Sequence, residues 1–250
     1  MVETIIPSYI KRVERQNVEE ILAETVGQEF GERFSDYRDN WRRSLKSDET
    51  NDVPEFPITL GLELLNRCNL ECIMCNTSHR AGPKFVIADG TLKRIMAECA
   101  EHELSAIMFG IGEEPLLFKE IGGVLDQAKA AGVMDVFLFT NGTLLTEDRC
   151  REIVQKQVTR VMISVDAALP QTYDKIRVRN GKMKQTGTGR LEVLEENIKR
   201  LIRIRDEMNS ALPVVRVSFV VQPLNVDEVE AFTGKWKDVV DFIDFQEWSN

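Results

Sequence analysis

The chain reads as an α/β protein with a curved, mostly parallel sheet, and three observations carry that reading. Short strand-like segments alternate with amphipathic helical ones from Ile58 onward, the mark of repeated strand–helix–strand units. Several strand segments are apolar on one side and polar on the other, whereas a parallel strand covered on both faces reads as continuously apolar. The six units found are too few to close an eight-stranded barrel, which leaves an open or partial barrel or a doubly wound sheet.

Taken in order, residues 1 to about 50 read as helical and charged, with Val18, Ile21, Leu22 and Val26 on one stripe. Phe34, Tyr37 and Trp41 follow as aromatics that can dock on another body. Residues 47–54 read as a linker, which divides the chain into an N-terminal helical extension over 1–55 and a core domain over 56–250. The extension is expected to cover the outer face of the sheet, the alternative being recognition of a peptide or a carrier. Strands are expected at 58–65, 105–111, 136–140, 161–166, 214–222 and 242–246. Between them, Leu92, Ile95, Met96 and Cys99 share one helix face, and Leu191, Leu194, Ile198, Leu201 and Ile202 another.

The strands themselves are two-sided. Ile58, Leu60, Leu62 and Leu64 oppose Thr59, Gly61 and Glu63. Val161, Ile163 and Val165 oppose Ser164 and Asp166, and Val215, Val217, Phe219 and Val221 oppose Arg216, Ser218, Val220 and Gln222. With the apolar faces against helices, the polar faces line an interior, which gives a curved sheet around a hydrophilic cavity. Glu63 and Arg216 then either touch substrate or form an ion pair within the barrel.

Composition narrows the partners. At a net charge of -9, and with no basic stripe interleaved with aromatics, nucleic acid is not the expected ligand. The first residues lack the basic and apolar regions of a secretory leader, and no apolar run reaches the roughly 18–20 residues of a membrane span. A cytoplasmic location follows as an expectation, with the five cysteines reduced rather than paired.

Three of those cysteines, Cys68, Cys72 and Cys75, lie in one C-x3-C-x2-C run directly after the first expected strand of the core. Parallel α/β folds place ligands at the carboxyl ends of their strands. Cys99 lies on an apolar helix face, and Cys150 pairs with Ile153 and Val154, so both read as core. Thiolate-rich sites select zinc or iron–sulfur clusters. His79 makes a four-ligand zinc site formally available. A compact triplet instead suits three corners of a [4Fe–4S] cluster, with the fourth iron open.

The triplet resembles that of the radical S-adenosylmethionine (radical SAM) enzymes, and further landmarks match in order over roughly residues 56–250. Gly112-Glu113-Glu114-Pro115 looks like the family's Gly-Gly-Glu-Pro motif, Thr140-Asn141-Gly142 like its Thr-Asn-Gly turn, and Ser164-Val165-Asp166 like its Ser-x-Asp segment. The resemblance implies a partial (β/α)6 TIM-like barrel in which Cys68, Cys72 and Cys75 each ligate one iron of a [4Fe–4S] cluster. S-adenosyl-L-methionine would chelate the fourth iron. Its reductive cleavage yields a 5′-deoxyadenosyl radical that takes a hydrogen atom from a peptide or small-molecule (carbohydrate-type) substrate. A flavodoxin or ferredoxin would supply the electron. The cofactor-binding set implied is Gly112, Glu113, Glu114, Asn141, Ser164, Asp166 and Val220. Within it, Glu114 accepts from the methionyl ammonium, Ser164 and Asp166 face the ribose or methionyl carboxylate, and Val220 packs near the adenine. Arg177 or Arg179 either pairs with that carboxylate or is a surface charge that meets solvent.

Two departures and one absence qualify the match. Glu113 replaces the family's second glycine, which is tolerable if its side chain points away, and Met74 stands where an aromatic is common. Many relatives carry a cysteine-rich C-terminal domain of the SPASM or twitch type, and this sequence has no cysteine after Cys150. It therefore reads as truncated before such a domain or as a single-cluster protein. The alternative function is a non-catalytic binding scaffold of the same fold, stabilised by zinc or a cluster.

Overall fold

The structure, a computed structural model, describes residues 12–44, 54–75, 83–178 and 190–248. Its spine is a seven-stranded sheet in the order β1-β7-β6-β5-β4-β3-β2. The strands are β1 (Arg12–Glu14), β2 (Thr59–Leu62), β3 (Ala106–Phe109), β4 (Asp135–Thr140), β5 (Arg160–Ser164), β6 (Val214–Val221) and β7 (Phe242–Glu247). From β2 to β7 every pairing is parallel, and β1 lies antiparallel against β7. The sheet does not close, so the fold is a partial barrel with the six expected strands in sequential order.

The outer layer consists of α3 (Asp89–Glu101), α4 (Ile121–Ala130), α5 (Glu147–Gln155), α6 (Pro170–Ile176), α7 (Arg190–Glu207) and α8 (Val229–Trp236). Their apolar stripes pack on Ile107, Phe109, Leu138, Val161, Ile163, Val215 and Val217, the outward residues of the strands. Cys99 and Cys150 lie in this core, as expected, and both are buried. Leu194, Ile198 and Leu201 bury the expected face of α7.

The N-terminal segment departs from expectation twice. It is not wholly helical: residues 12–14 form β1 before α1 (Val18–Phe30) and α2 (Glu32–Ser44). A three-residue segment is too short to show a period, and only pairing with β7 makes it a strand. The two helices also cover the inner face, not the outer one. Val18, Leu22, Val26, Phe34 and Tyr37 pack with Ala106, Phe137, Met162, Val214 and Phe242, the inward residues near the amino ends of the strands. Trp41 stacks on Phe137, with ring centres 6.2 Å apart. Each buried aliphatic of α1 contributes ~1.5–3 kcal/mol before entropy is charged.

The interior is consequently not hydrophilic throughout. Its lower half is plugged by α1 and α2 around a buried polar knot. Tyr37 donates to Asp135 at 3.0 Å, and Arg160 donates to both oxygens of Asp135. Burial alone would raise the Asp135 pKa, but Arg160, Thr159 and Tyr37 together hold it below the usual carboxylate value. Toward the carboxyl ends, inward residues such as Met108, Phe139, Ser164, Arg216, Val220 and Asp244 are only half-buried, so the upper half is accessible. No helix among the described residues is long and apolar enough to cross a membrane.

Candidate functional site

The cysteine run leaves the carboxyl end of β2 and crosses the mouth of the barrel. Its path is pinned from several sides by backbone and side-chain hydrogen bonds. Glu71 and Ile73 donate through their amides to the carbonyls of Val178, just past α6, and Ile176, its last residue. Ile87 donates to the carbonyl of Leu64, and Asn66 donates to the Pro83 carbonyl and exchanges bonds with Phe85. Cys72 is buried, while Cys68 and Cys75 are half-buried.

Two hydrogen-bonded groups flank the loop. The first centres on Asn141. Its side-chain amide donates to Asn69 Oδ1 at 2.8 Å and to Cys68 Sγ at 3.5 Å, and its backbone N–H donates to Glu114 at 2.8 Å. Glu114 is fully buried and also accepts from Thr140 Oγ1 at 2.7 Å and the Leu116 amide at 3.2 Å. Burial nevertheless pushes its pKa up to about 7. A carboxylate has about four acceptor positions, so three donors leave one for a ligand.

The second group centres on Asp166, whose backbone adopts φ +62 at the end of β5. This left-handed conformation is one that aspartate tolerates better than most residues. One carboxylate oxygen accepts from the Val220 amide at 2.7 Å, and the other accepts from Arg177. Arg177 turns its other Nη to Cys72 Sγ at 3.4 Å. Burial alone would lower the Arg177 pKa, but the charges of Asp166 and Cys72 outweigh it and hold the guanidinium protonated.

The other expected residues are placed by the same network or lie beyond it. Glu113 is turned onto the end of β2, where its two oxygens accept from the amides of Leu64 at 2.9 Å and Leu65 at 2.6 Å. Gly112 and Ser164 are half-buried, and Ser164 shares the inner face with Arg216 and Ser218. Arg216 pairs with Asp244 at 3.1 Å rather than with Glu63. His79 and Arg179 lie outside the described residues.

Other residues of the site escaped the sequence reading. Gly110 ends β3 with φ +87, and a Cβ there would lie 2.1 Å from the Phe139 carbonyl oxygen. A glycine directly after an apolar strand is the signal that marks it. Asn225 donates to the carbonyls of Asp166 and Val220, both at 2.9 Å, and ties the β5 and β6 ends together. Its signal was the Gln222-Pro223-Leu224-Asn225 turn composition.

The donor set fits a cluster. Cys68 Sγ accepts from the Leu70 amide at 3.4 Å as well as from Asn141, and Cys72 Sγ accepts from Arg177, so both sulfurs are already dressed as acceptors. Burial pushes the Cys68 thiol up to about 11 and raises that of Cys72, so a bound metal rather than solvent must stabilise the thiolates. Arg177 Nε and Tyr173 Oη are buried with no partner among the described residues. No three described His, Cys, Asp or Glu side chains converge as a cage for one ion, whereas a cluster asks each cysteine for a different iron.

A family model described as the radical SAM superfamily matches residues 62–232, more than half of the chain. The chain belongs to the radical SAM superfamily. Membership implies an iron–sulfur cluster and S-adenosylmethionine. Among curated relatives, a probable GTP 3′,8-cyclase of Methanocaldococcus jannaschii is 26% identical over 189 residues, covering 72% of this chain and 55% of that protein. A tungsten-containing aldehyde ferredoxin oxidoreductase cofactor-modifying protein of Pyrococcus furiosus is 28% identical over 171 residues, covering 68% of this chain and 45% of the relative. This radical SAM chain thus spans about half the length of the curated relatives it matches. Among solved structures, native anSMEcpe with bound AdoMet superposes with a TM-score of 0.62 at 17% identity, covering 78% of this chain and 52% of that one. At that identity the likeness concerns the fold.

Proposed function

We propose that the protein cleaves S-adenosyl-L-methionine at a [4Fe–4S] cluster held by Cys68, Cys72 and Cys75, and abstracts a hydrogen atom from a polar substrate of peptide or carbohydrate type. The supporting observation is a convergence: through Asn141 alone, the Glu114 carboxylate, the Thr140-Asn141-Gly142 turn and Cys68 Sγ are joined. When bound, the cluster and its cofactor supply the electron transfer and the adenosyl radical.

The chain's own residues bind, orient and exclude water. Glu114 keeps one acceptor position for the methionyl ammonium, a charge-assisted contact. Gly112 leaves room for close approach beside it. Asp166 reaches the cofactor through what it holds: it fixes Arg177 beside Cys72 and the Val220 amide at the adenine side. Ser164 and Asn141 complete the rim as hydrogen-bonding groups. The packed lower half closes the chamber from below and keeps water out on that side. A flavodoxin or ferredoxin is the fitting electron donor.

Anaerobic reconstitution with iron and sulfide tests the reading. It should give a brown protein with about four irons per chain. Dithionite and S-adenosylmethionine should then release 5′-deoxyadenosine. A colourless, zinc-loaded protein that cleaves nothing would overturn it.

A further inference from the structure

Three arginines project from the strands toward the interior, at different heights and in different states of satisfaction. Arg12 on β1 pairs with Glu14 and lies over the Phe242 ring. Arg160, low on β5, is gripped by both oxygens of Asp135 and lies over Phe137. Arg216 on β6 stands higher than Arg160. Below it Val214 packs against α1 and α2, and above it Ser218 is level with Ser164 and Asp244.

Arg216 is only partly used. Its guanidinium lies 5.8 Å from the Phe139 ring centre and 5.9 Å from that of Phe242. One Nη donates to Asp244, and Gln246 donates to the same carboxylate oxygen at 2.9 Å. The Nε–H is buried and meets no acceptor among the described residues. Burial pulls the Arg216 pKa below the usual value; Asp244 opposes that, while Arg12 and Arg160 add to it. A guanidinium carries five donors in a fork that matches a carboxylate or phosphate side-on. Here the guanidinium lies near two aromatic rings, with its Nε–H unmatched.

We propose that Arg216 anchors an anionic group of the substrate, a carboxylate or a phosphate, on the Nε edge of its guanidinium. This rests on reading the upper barrel as the reaction chamber. Four residues along β6 separate Arg216 from Val220, about 13 Å at the strand rise. The anchored group therefore lies on the order of 10 Å from the end of the substrate that meets the cofactor. Asp244 is the resident counter-charge that keeps the guanidinium in place before substrate arrives, and it competes with the incoming anion.

The test is a titration of iron-loaded protein with inorganic phosphate and, separately, with 13C-acetate, followed by 31P and 13C line broadening. One or both anions should bind saturably. Phosphate alone indicates a phosphorylated substrate, and acetate alone a carboxylate. Arg216→Met, which keeps the packing on both rings, should weaken binding at least tenfold, with Arg216→Lys intermediate. Asp244→Asn removes the competitor and should tighten binding several-fold, and it carries the test if the Arg216 variants fail to fold. No saturable binding of either anion, unchanged affinity in Arg216→Met, or weaker binding in Asp244→Asn overturns the proposal. Iron is counted in the same samples, so a failure of cluster loading is read apart from a failure of the anion site.

Discussion

Replacing Glu113 by glutamine should destabilise the protein in mild acid and stabilise it in mild base. The Glu113 carboxylate is buried against the end of β2, with the Leu64 and Leu65 amides donating to its two oxygens. Those bonds favour the charged form, as one would expect to lower the pKa. Burial outweighs them, helped by the like charges of Glu63 and Glu114, and the pKa is pushed up to about 7 from 4.5. A group whose pKa is raised on folding binds its proton more tightly in the folded state. Its contribution to stability is full below the unfolded pKa and is lost as pH rises through the folded one. Carried from pH 4.5 to 7, that loss is ~3 kcal/mol. Glutamine has no such loss, but it offers one acceptor and one donor to two amides and leaves one N–H unmatched, costing about 1–3 kcal/mol at every pH. Urea denaturation of the metal-free protein between pH 5 and 8 should therefore show the two stability curves crossing. A gap between wild type and Glu113→Gln that stays constant over that range would refute the titration argument. Glu114, also pushed up to about 7, leaves a residual slope in both proteins.

Further expectations concern the plug, the cluster loop and the β3 turn. Tyr37→Phe removes one donor to a charged acceptor while Arg160 and Thr159 still hold Asp135, so thermal unfolding should show a loss of about 1.5–3 kcal/mol. Arg160→Met strands the Asp135 charge and should cost more, about 3–5 kcal/mol in the same assay. Alanine at Cys68, Cys72 or Cys75 should abolish four-iron loading on reconstitution, whereas Cys99→Ala should retain it, as iron and sulfide assays will show. Gly110→Ala drives a Cβ into the Phe139 carbonyl at positive φ, and it should lower the melting temperature by several degrees through ~3 kcal/mol or more of strain and displacement.

The sequence carried the chemistry of this protein more fully than its geometry. Strand–helix alternation predicts the parallel order β2 to β7, because such units leave little topological choice. The C-x3-C-x2-C run, the Glu114 segment and the Asn141 turn were legible as residue types at strand ends. Period alone also divided the strands near 58–65, 161–166 and 214–222 into an apolar and a polar face, since alternate side chains must point opposite ways. Tertiary structure decided what lies against those faces. The stripe of Val18, Leu22 and Val26 would suit either side of the sheet, and only the match with Phe137, Met162 and Phe242 sends the hairpin inward. β1 exists because β7 offers an edge. Glu113 turns to Leu64 and Leu65, and Arg216 takes Asp244 in place of Glu63, through partners tens of residues away. A local pattern fixes direction along an element; it does not encode which distant donor or acceptor folding will bring within 3 Å. That is why the cluster ligands were readable beforehand, while the wiring of Glu113, Asp166 and Arg216 was not.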